Sequence, residues 1–220
     1  MQKNSSANFQ KRPECGLMPN SKAKKKNPAV LITGVPGTGK STAARLLSEK
    51  LSAAHVDIGK LALAMGLYSG TDPSDGAKVV RLSPLEKEAK SAIEAELVTR
   101  PVIADGHLGC EMRLPALIVF VLRCEPKTLR ARLSLRGYSQ QKIAQNALSE
   151  ALDYCTVQSE KNYGAKKVWE IDTTNHSPSE VADEIAAIIS KKRRRKEKIS
   201  WPDALACEAI LGESLRKTIH

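Results

Sequence analysis

One octapeptide constrains this chain more than any other stretch: Gly34-Val35-Pro36-Gly37-Thr38-Gly39-Lys40-Ser41. It fits the pattern of a glycine, four free positions and Gly-Lys-Ser, in a setting where that pattern has physical meaning. Ahead of it, Ala29-Val30-Leu31-Ile32-Thr33 is an apolar run that reads as a buried parallel strand. Behind it, Ala44, Leu46, Leu47 and Leu51 give a helix its apolar side. Glycines allow backbone N–H groups to turn inward as a nest for phosphate oxygens, and the first helical turn adds unpaired donors and a positive dipole end. Gly37, Thr38 and Gly39 are the expected cradle. Lys40 places a charge on the β- and γ-phosphates, the Ser41 hydroxyl ligates Mg²⁺, and Thr42 reaches the α-phosphate. The expected ligand is ATP with Mg²⁺. The alternative, a chance glycine-rich turn, is disfavoured by the Lys-Ser pair behind a strand.

The remaining pattern alternates strands with helices, which predicts a parallel sheet with right-handed crossovers. Strands are expected at 55–58, 101–105, 117–122 and 168–172. Helices are expected at 60–65, 84–99, 126–135, 178–190 and, as one long element, from Ser139 to about Tyr163. Residues 66–83, with three Gly, a Pro and several Ser or Asp, read as a mobile loop. The fold class is therefore α/β: a five-stranded parallel sheet flanked by helices.

A phosphate loop needs a second carboxylate to hold a water of the Mg²⁺ shell. Asp105 ends the third apolar strand, the edge at which ligands sit in open α/β sheets. His107 follows after one glycine, where its ring faces the γ-phosphate if the loop turns back. A lone histidine is as readily structural. Phosphoryl transfer also needs positive charge around the moving group. Arg132 and Arg136 are spaced i, i+4, and Arg136 precedes Gly137, a possible hinge; a solvated basic face is the alternative. Arg123, straight after the fourth strand, is a weaker candidate. No Arg occurs from 55 to 80 or from 137 to 192, the stretches where ordinary adenylate kinases keep phosphate-clamping arginines. Any lid must be short, because Arg136 runs almost directly into the next helix.

Composition bears on partners. The net charge of +11 is concentrated at two places: residues 1–28 and residues 191–198 each hold seven basic side chains against one acid. The body between is near neutral. Cationic segments of this kind fit contact with RNA or another polyanion, or serve only as solvated tails. Residues 1–28, rich in Ser, Asn, Lys and Pro, read as disordered. Five cysteines, an odd number without a Cys-x-x-Cys pair, argue against a disulfide framework or zinc site. The longest apolar run, Ala116 to Leu122, is too short to cross a bilayer, and the N-terminus lacks the apolar stretch of a signal peptide. A soluble intracellular protein without membrane contact is expected.

Taken with the phosphate loop, Asp105-Gly106-His107 and Leu135-Arg136-Gly137-Tyr138-Ser139 resemble the adenylate-kinase-like ATPases of small-ribosomal-subunit assembly, which in eukaryotes include the coilin-interacting nuclear ATPase. Asn146 and Ile171-Asp172-Thr173-Thr174 strengthen the likeness, which spans about residues 29–190; the glycine in Asp-Gly-His has an archaeal look. The resemblance implies a P-loop nucleoside monophosphate kinase with a short lid, using Mg²⁺ and ATP to phosphorylate AMP and also hydrolysing ATP. It implies Gly37, Gly39, Lys40, Ser41, Thr42 and Arg136 at the nucleotide, and Asp105 and His107 as a pair supporting hydrolysis. Residues 57–81 become the acceptor region and 135–145 the lid. The implied partner is a ribosomal protein of the small-subunit platform, and the expected location is cytoplasmic, with the nucleus open in a eukaryote; rRNA contact through the basic ends is an expectation from composition alone. One departure is the short helix Lys60-Leu61-Ala62-Leu63-Ala64-Met65, where some relatives carry an arginine. Residues 191–220, a basic segment and a possible helix from Trp201 to His220, lie outside the likeness.

Overall fold

A computed structural model describes residues 27–71, 78–191 and 198–204. Five parallel strands form the sheet in the order β2-β5-β1-β6-β7: β2 (Ala54–Asp57), β5 (Val102–Asp105), β1 (Ala29–Thr33), β6 (Ile118–Arg123) and β7 (Val168–Asp172). The P-loop NTPase architecture expected from the sequence is the one observed. All five residues of β1 are buried, because the strand is covered on both faces. Val30 and Ile32 point into a layer formed with Ala44 and Leu47 of α1 (Lys40–Leu51) and Val181 and Ile185 of α7 (Pro178–Ile189). Leu31 points the other way. It joins a layer with Ile58 of α2 (Ile58–Ala64), Leu85 and Ile93 of α3 (Leu82–Leu97), and Leu129 of α4 (Pro126–Leu135). Period-two alternation on the central strand thus divides the core into two halves.

Two elements depart from the sequence reading. Part of the stretch read as a loop at 66–83 is an antiparallel hairpin, β3 (Tyr68–Thr71) and β4 (Lys78–Val80). Leu67 anchors it: buried at its base, Leu67 accepts at its carbonyl from the Arg81 N–H. The long helix from Ser139 to Tyr163 is two helices, α5 (Gln140–Ala151) and α6 (Tyr154–Tyr163). The break is at Asp153, whose φ of +54° is left-handed. That turn carries the Asp153 carboxylate to Arg123, and periodicity carries no signal of an ion pair between distant residues.

Arg123 is not a phosphate ligand. Its guanidinium is 1% exposed and forms ion pairs with Glu150, Asp153 and Glu170. The segment after the basic run joins this cluster: Arg123 donates to the Ile199 carbonyl, and the Trp201 indole N–H donates to Glu150. The expected basic extension at 1–28 lies outside the described residues except for Asn27 and Pro28. So do most of the basic run, at 192–197, and the expected helix beyond Ala204.

Replacing Arg123 with Met would leave Glu150 and Glu170 buried without their cation, at a cost of about 3–5 kcal/mol. Urea unfolding should show this as a lower midpoint, partly restored by adding Glu150→Gln. An unchanged midpoint would mean that the cluster contributes little to stability.

Candidate active site

The carboxyl ends of β1, β5 and β2 lie side by side, and the glycine loop leaves from β1. Gly34 has a φ of +134°, and a Cβ there would meet the Leu122 carbonyl oxygen at 2.4 Å. The loop therefore crosses β6 in contact with its backbone. Gly37, at φ +95°, lies against Leu129 and Leu133 of α4, and a Cβ would come within 2.8 Å of Leu129. The glycine pattern thus follows from the packing of the loop on β6 and α4. Helix α1 begins at Lys40 with Gly39 as its N-cap, no side-chain cap and no acid in its first turn. Its unpaired N–H groups and dipole are left for an anion.

Lys40 is 8% exposed, and its ammonium donates to the Val35 carbonyl at 2.7 Å. Thr38 bonds the same carbonyl. Burial pushes the Lys40 pKa down to about 8, against the opposing pull of Asp105 and the thiols of Cys155 and Cys110. A polyanion in the loop would relieve that penalty.

Asp105 is paired in register with Ile32 of β1 and Asp57 of β2. Its side chain is 1% exposed. One carboxylate oxygen, Oδ2, accepts from the Ser41 hydroxyl at 2.7 Å; the other, Oδ1, is hydrogen-bonded to His55 Nε2 at 2.7 Å. Ser41 and Asp105, from a loop and a strand 64 residues apart, are thus in direct contact. These hard oxygen donors border an open cleft, as a Mg²⁺ ion that keeps several waters requires, so the residues present fit that ion.

His107 opens a 3₁₀ turn over His107–Glu111. Thr33 Oγ1 holds the turn against β1 by donating to the carbonyls of Gly106, at 2.9 Å, and His107. The ring is open to cleft water, yet crowding by protein atoms and the Lys40 charge lower its pKa to about 4. The imidazole is therefore neutral near pH 7. Arg136 caps the C-terminus of α4, and residues 136–139 alone separate α4 from α5. Among the described residues no hydrogen bond or ion pair to the protein holds the Arg136 guanidinium. Its i, i−4 neighbour Arg132 is engaged elsewhere, donating to the carbonyls of Thr173 and Thr174 and fixing the loop after β7.

Three cavities meet at these groups. One of about 360 Å³ lies between Gly39 and Thr42 on one side and Arg136, Thr173, His176 and Pro178 on the other. A second, about 260 Å³, is bordered by Lys40, Ser41, Asp105, His107, Arg136 and Tyr138. A third, about 190 Å³, lies beyond His107 and is lined by Ile58, Ala62, Tyr68, Lys78 and Leu85. Lys40, Ser41, Asp105, His107 and Arg136 therefore border one space, and Gly37, Gly39 and Thr42 border both it and the first cavity. Sequence reasoning passed over His55 and His176. His55 had one available signal: it shares a strand face with Asp57, on a strand that the structure places beside the one that ends in Asp105.

A family model described as AAA domain matches residues 30–153. A protein of Methanocaldococcus jannaschii named putative adenylate kinase is 34% identical over 174 residues, covering 79% of this chain and 93% of that protein. One of the same name from Pyrococcus furiosus is 37% identical over 176 residues, covering 78% and 90%. A third, from Halobacterium salinarum, is 39% identical over 165 residues, covering 74% and 91%.

With Lys40 at about 8 in the empty loop, a bound polyphosphate should raise its pKa and draw in a proton at alkaline pH. Tripolyphosphate affinity should then fall as pH rises through 8. Calorimetry at pH 8.5 in two buffers of different ionisation enthalpy should show proton uptake, and Lys40→Met should abolish it. Binding without proton uptake would contradict the placement of the anion at Lys40.

Proposed function

The chain belongs to the AAA-domain family that matches most of its body and to the family of the archaeal proteins named putative adenylate kinase, and we propose that it transfers the γ-phosphoryl group of Mg²⁺-ATP to AMP. The observation that carries this reading is the bond from Ser41 to Asp105 in a cleft flanked by two further cavities. A hydrolase needs one nucleotide site; a transferase needs two, meeting at the reacting phosphate.

The adenosine of ATP occupies the cavity beside Thr173 and His176, and its phosphates follow the loop amides of residues 37–41. Lys40 leaves the Val35 carbonyl for the β- and γ-oxygens. Ser41 and Asp105 would hold Mg²⁺, the serine directly and the carboxylate through a water of its shell, and the ion would supply positive charge to the β- and γ-phosphates. Arg136 swings on Gly137, at φ +73°, to cover the transferred group. The acceptor lies in the third cavity, its base against the apolar wall of Ile58, Ala62 and Leu85, with Tyr68 beside it. Lys78, whose ammonium lies 5.1 Å from the Tyr68 ring centroid, takes the acceptor phosphate in place of an arginine clamp. Neutral His107 stands between the two sites and orients the attacking oxygen.

A second reading, an ATPase serving small-ribosomal-subunit assembly, is favoured by two specific features. Lys78 is the one cationic side chain lining the acceptor cavity among the described residues, and residues 1–28 and 191–198, each with seven basic side chains against one acid, suit rRNA or a ribosomal protein complex. In that reading a protein partner fills the acceptor side and His107 positions a water.

A side-by-side assay of AMP phosphorylation and ATP hydrolysis separates the two. Transfer to AMP should exceed hydrolysis in the isolated chain. Lys78→Ala should raise KM for AMP about tenfold, with kcat changed less than about threefold, as expected for loss of one charge-assisted contact. Hydrolysis unaffected by AMP, with no ADP formed from it, would leave the second reading.

A further inference from the structure

The acidic group at the end of β5 has two partners, and the proposed mechanism uses one of them. Asp105 Oδ2 faces Ser41, while Oδ1 is held at 2.7 Å by Nε2 of His55 on β2, the edge strand beside β5. His55 lies two residues before Asp57, which is the register neighbour of Asp105. The imidazole therefore reaches forward along the strand to its target. Asp57 is engaged elsewhere. Its Oδ1 caps α2 by accepting from the Lys60 N–H at 2.9 Å, and its Oδ2 lies 3.4 Å from the Lys60 ammonium. The β2 side chain directed at Asp105 is thus His55, which is 24% exposed against 1% for the carboxylate.

The chemistry of this contact is one-directional. A carboxylate that serves a metal only accepts, so in that role of Asp105 the short bond is donated by His55 Nε2. The final torsion of an aspartate is broad, and a carboxylate held by one partner can rotate about it. With Ser41 on one oxygen and His55 on the other, the carboxylate plane is fixed by two bonds, and Oδ2 is presented to the cleft.

We infer that His55 is a positioning residue for the metal site: its Nε2–H fixes the Asp105 carboxylate in the orientation that receives a water of the Mg²⁺ shell. The inference rests on the Mg²⁺-ATP reading of the site. His55 touches neither nucleotide nor metal and acts through Asp105, as a supporting hydrogen bond acts on a metal ligand. It also ties the strand leading into the acceptor region to the carboxylate on the ATP side, so both walls of the cleft share one anchor.

The test measures binding of β,γ-imido-ATP to the full chain by calorimetry, in excess Mg²⁺ and in EDTA. In His55→Phe, which keeps the ring volume and removes the donor, affinity in EDTA should stay within about twofold of the unsubstituted chain. The enhancement by Mg²⁺ should fall about tenfold. His55→Gln, with an amide donor of similar reach, should recover most of it; His55→Asn, with a shorter side chain, should not. Should His55→Phe not fold, the Gln and Asn variants decide the matter alone. Equal Mg²⁺ enhancement in those two, or an undiminished enhancement in a folded His55→Phe, overturns the inference. Equal losses with and without Mg²⁺ in His55→Phe also overturn it, because His55 would then serve the fold. If the unsubstituted chain shows no Mg²⁺ enhancement, the Mg²⁺-ATP reading fails, and the inference with it.

Discussion

A carboxylate held almost out of water beside a serine hydroxyl is the interaction around which the cleft is organised. Asp105 is 1% exposed, and a carboxylate so buried needs hydrogen-bond partners. It has them because β5 lies between β1 and β2, so that the phosphate loop leaving β1 delivers Ser41 from one side while β2 delivers His55 from the other. The central position of β1 and β5 is in turn a consequence of burial. Their side chains are apolar in both directions, and only strands covered on both faces can accommodate that pattern. Core and site are thus linked through register: Ile32 packs against α1 and α7, and its register partner is Asp105.

The same link explains why charge is so unevenly handled across the molecule. Arg123, at the end of β6, spends its guanidinium on three carboxylates and on the segment that carries Trp201. Arg132 holds the loop after β7. Arg136, at the end of the helix that carries Arg132, is left without a protein partner among the described residues, and it borders both the cavity beside Thr173 and the one around Asp105. Three arginines close in sequence thus divide into two that fix the walls and one that can move within the cleft.

Much of this architecture is legible in the sequence. The phosphate loop could be read because its glycines and the Lys-Ser pair fall at fixed spacing behind an apolar strand. Most strands of the parallel sheet could be read because they are short apolar runs between breakers, and Asp105 because it ends one of them. The break at Asp153 could not, since the partner of its carboxylate, Arg123, lies 30 residues away and leaves no local signal. The hairpin at Tyr68 was hidden because its strands are short and, Tyr68 and Val80 apart, exposed, so no alternation marks them. Arg123 was misjudged for a related reason: a basic residue after a strand suggests a ligand contact, and burial among acids is a tertiary fact. His55 shows the intermediate case, with strand and face predictable and the partner decided by sheet order.

The central claim is that one nucleotide's phosphates lie on the loop between Lys40 and Asp105 while a second nucleotide occupies the cavity beside Lys78. A crystal structure with Mg²⁺ and the bisubstrate analogue di(adenosine) pentaphosphate tests it most directly. The account predicts one adenosine beside Thr173 and His176, the other beside Tyr68 and Lys78, the phosphate chain passing Lys40 and Arg136, and the metal on Ser41. A phosphate chain that bypasses the amides of residues 37–41, or a metal remote from both Ser41 and Asp105, would contradict it.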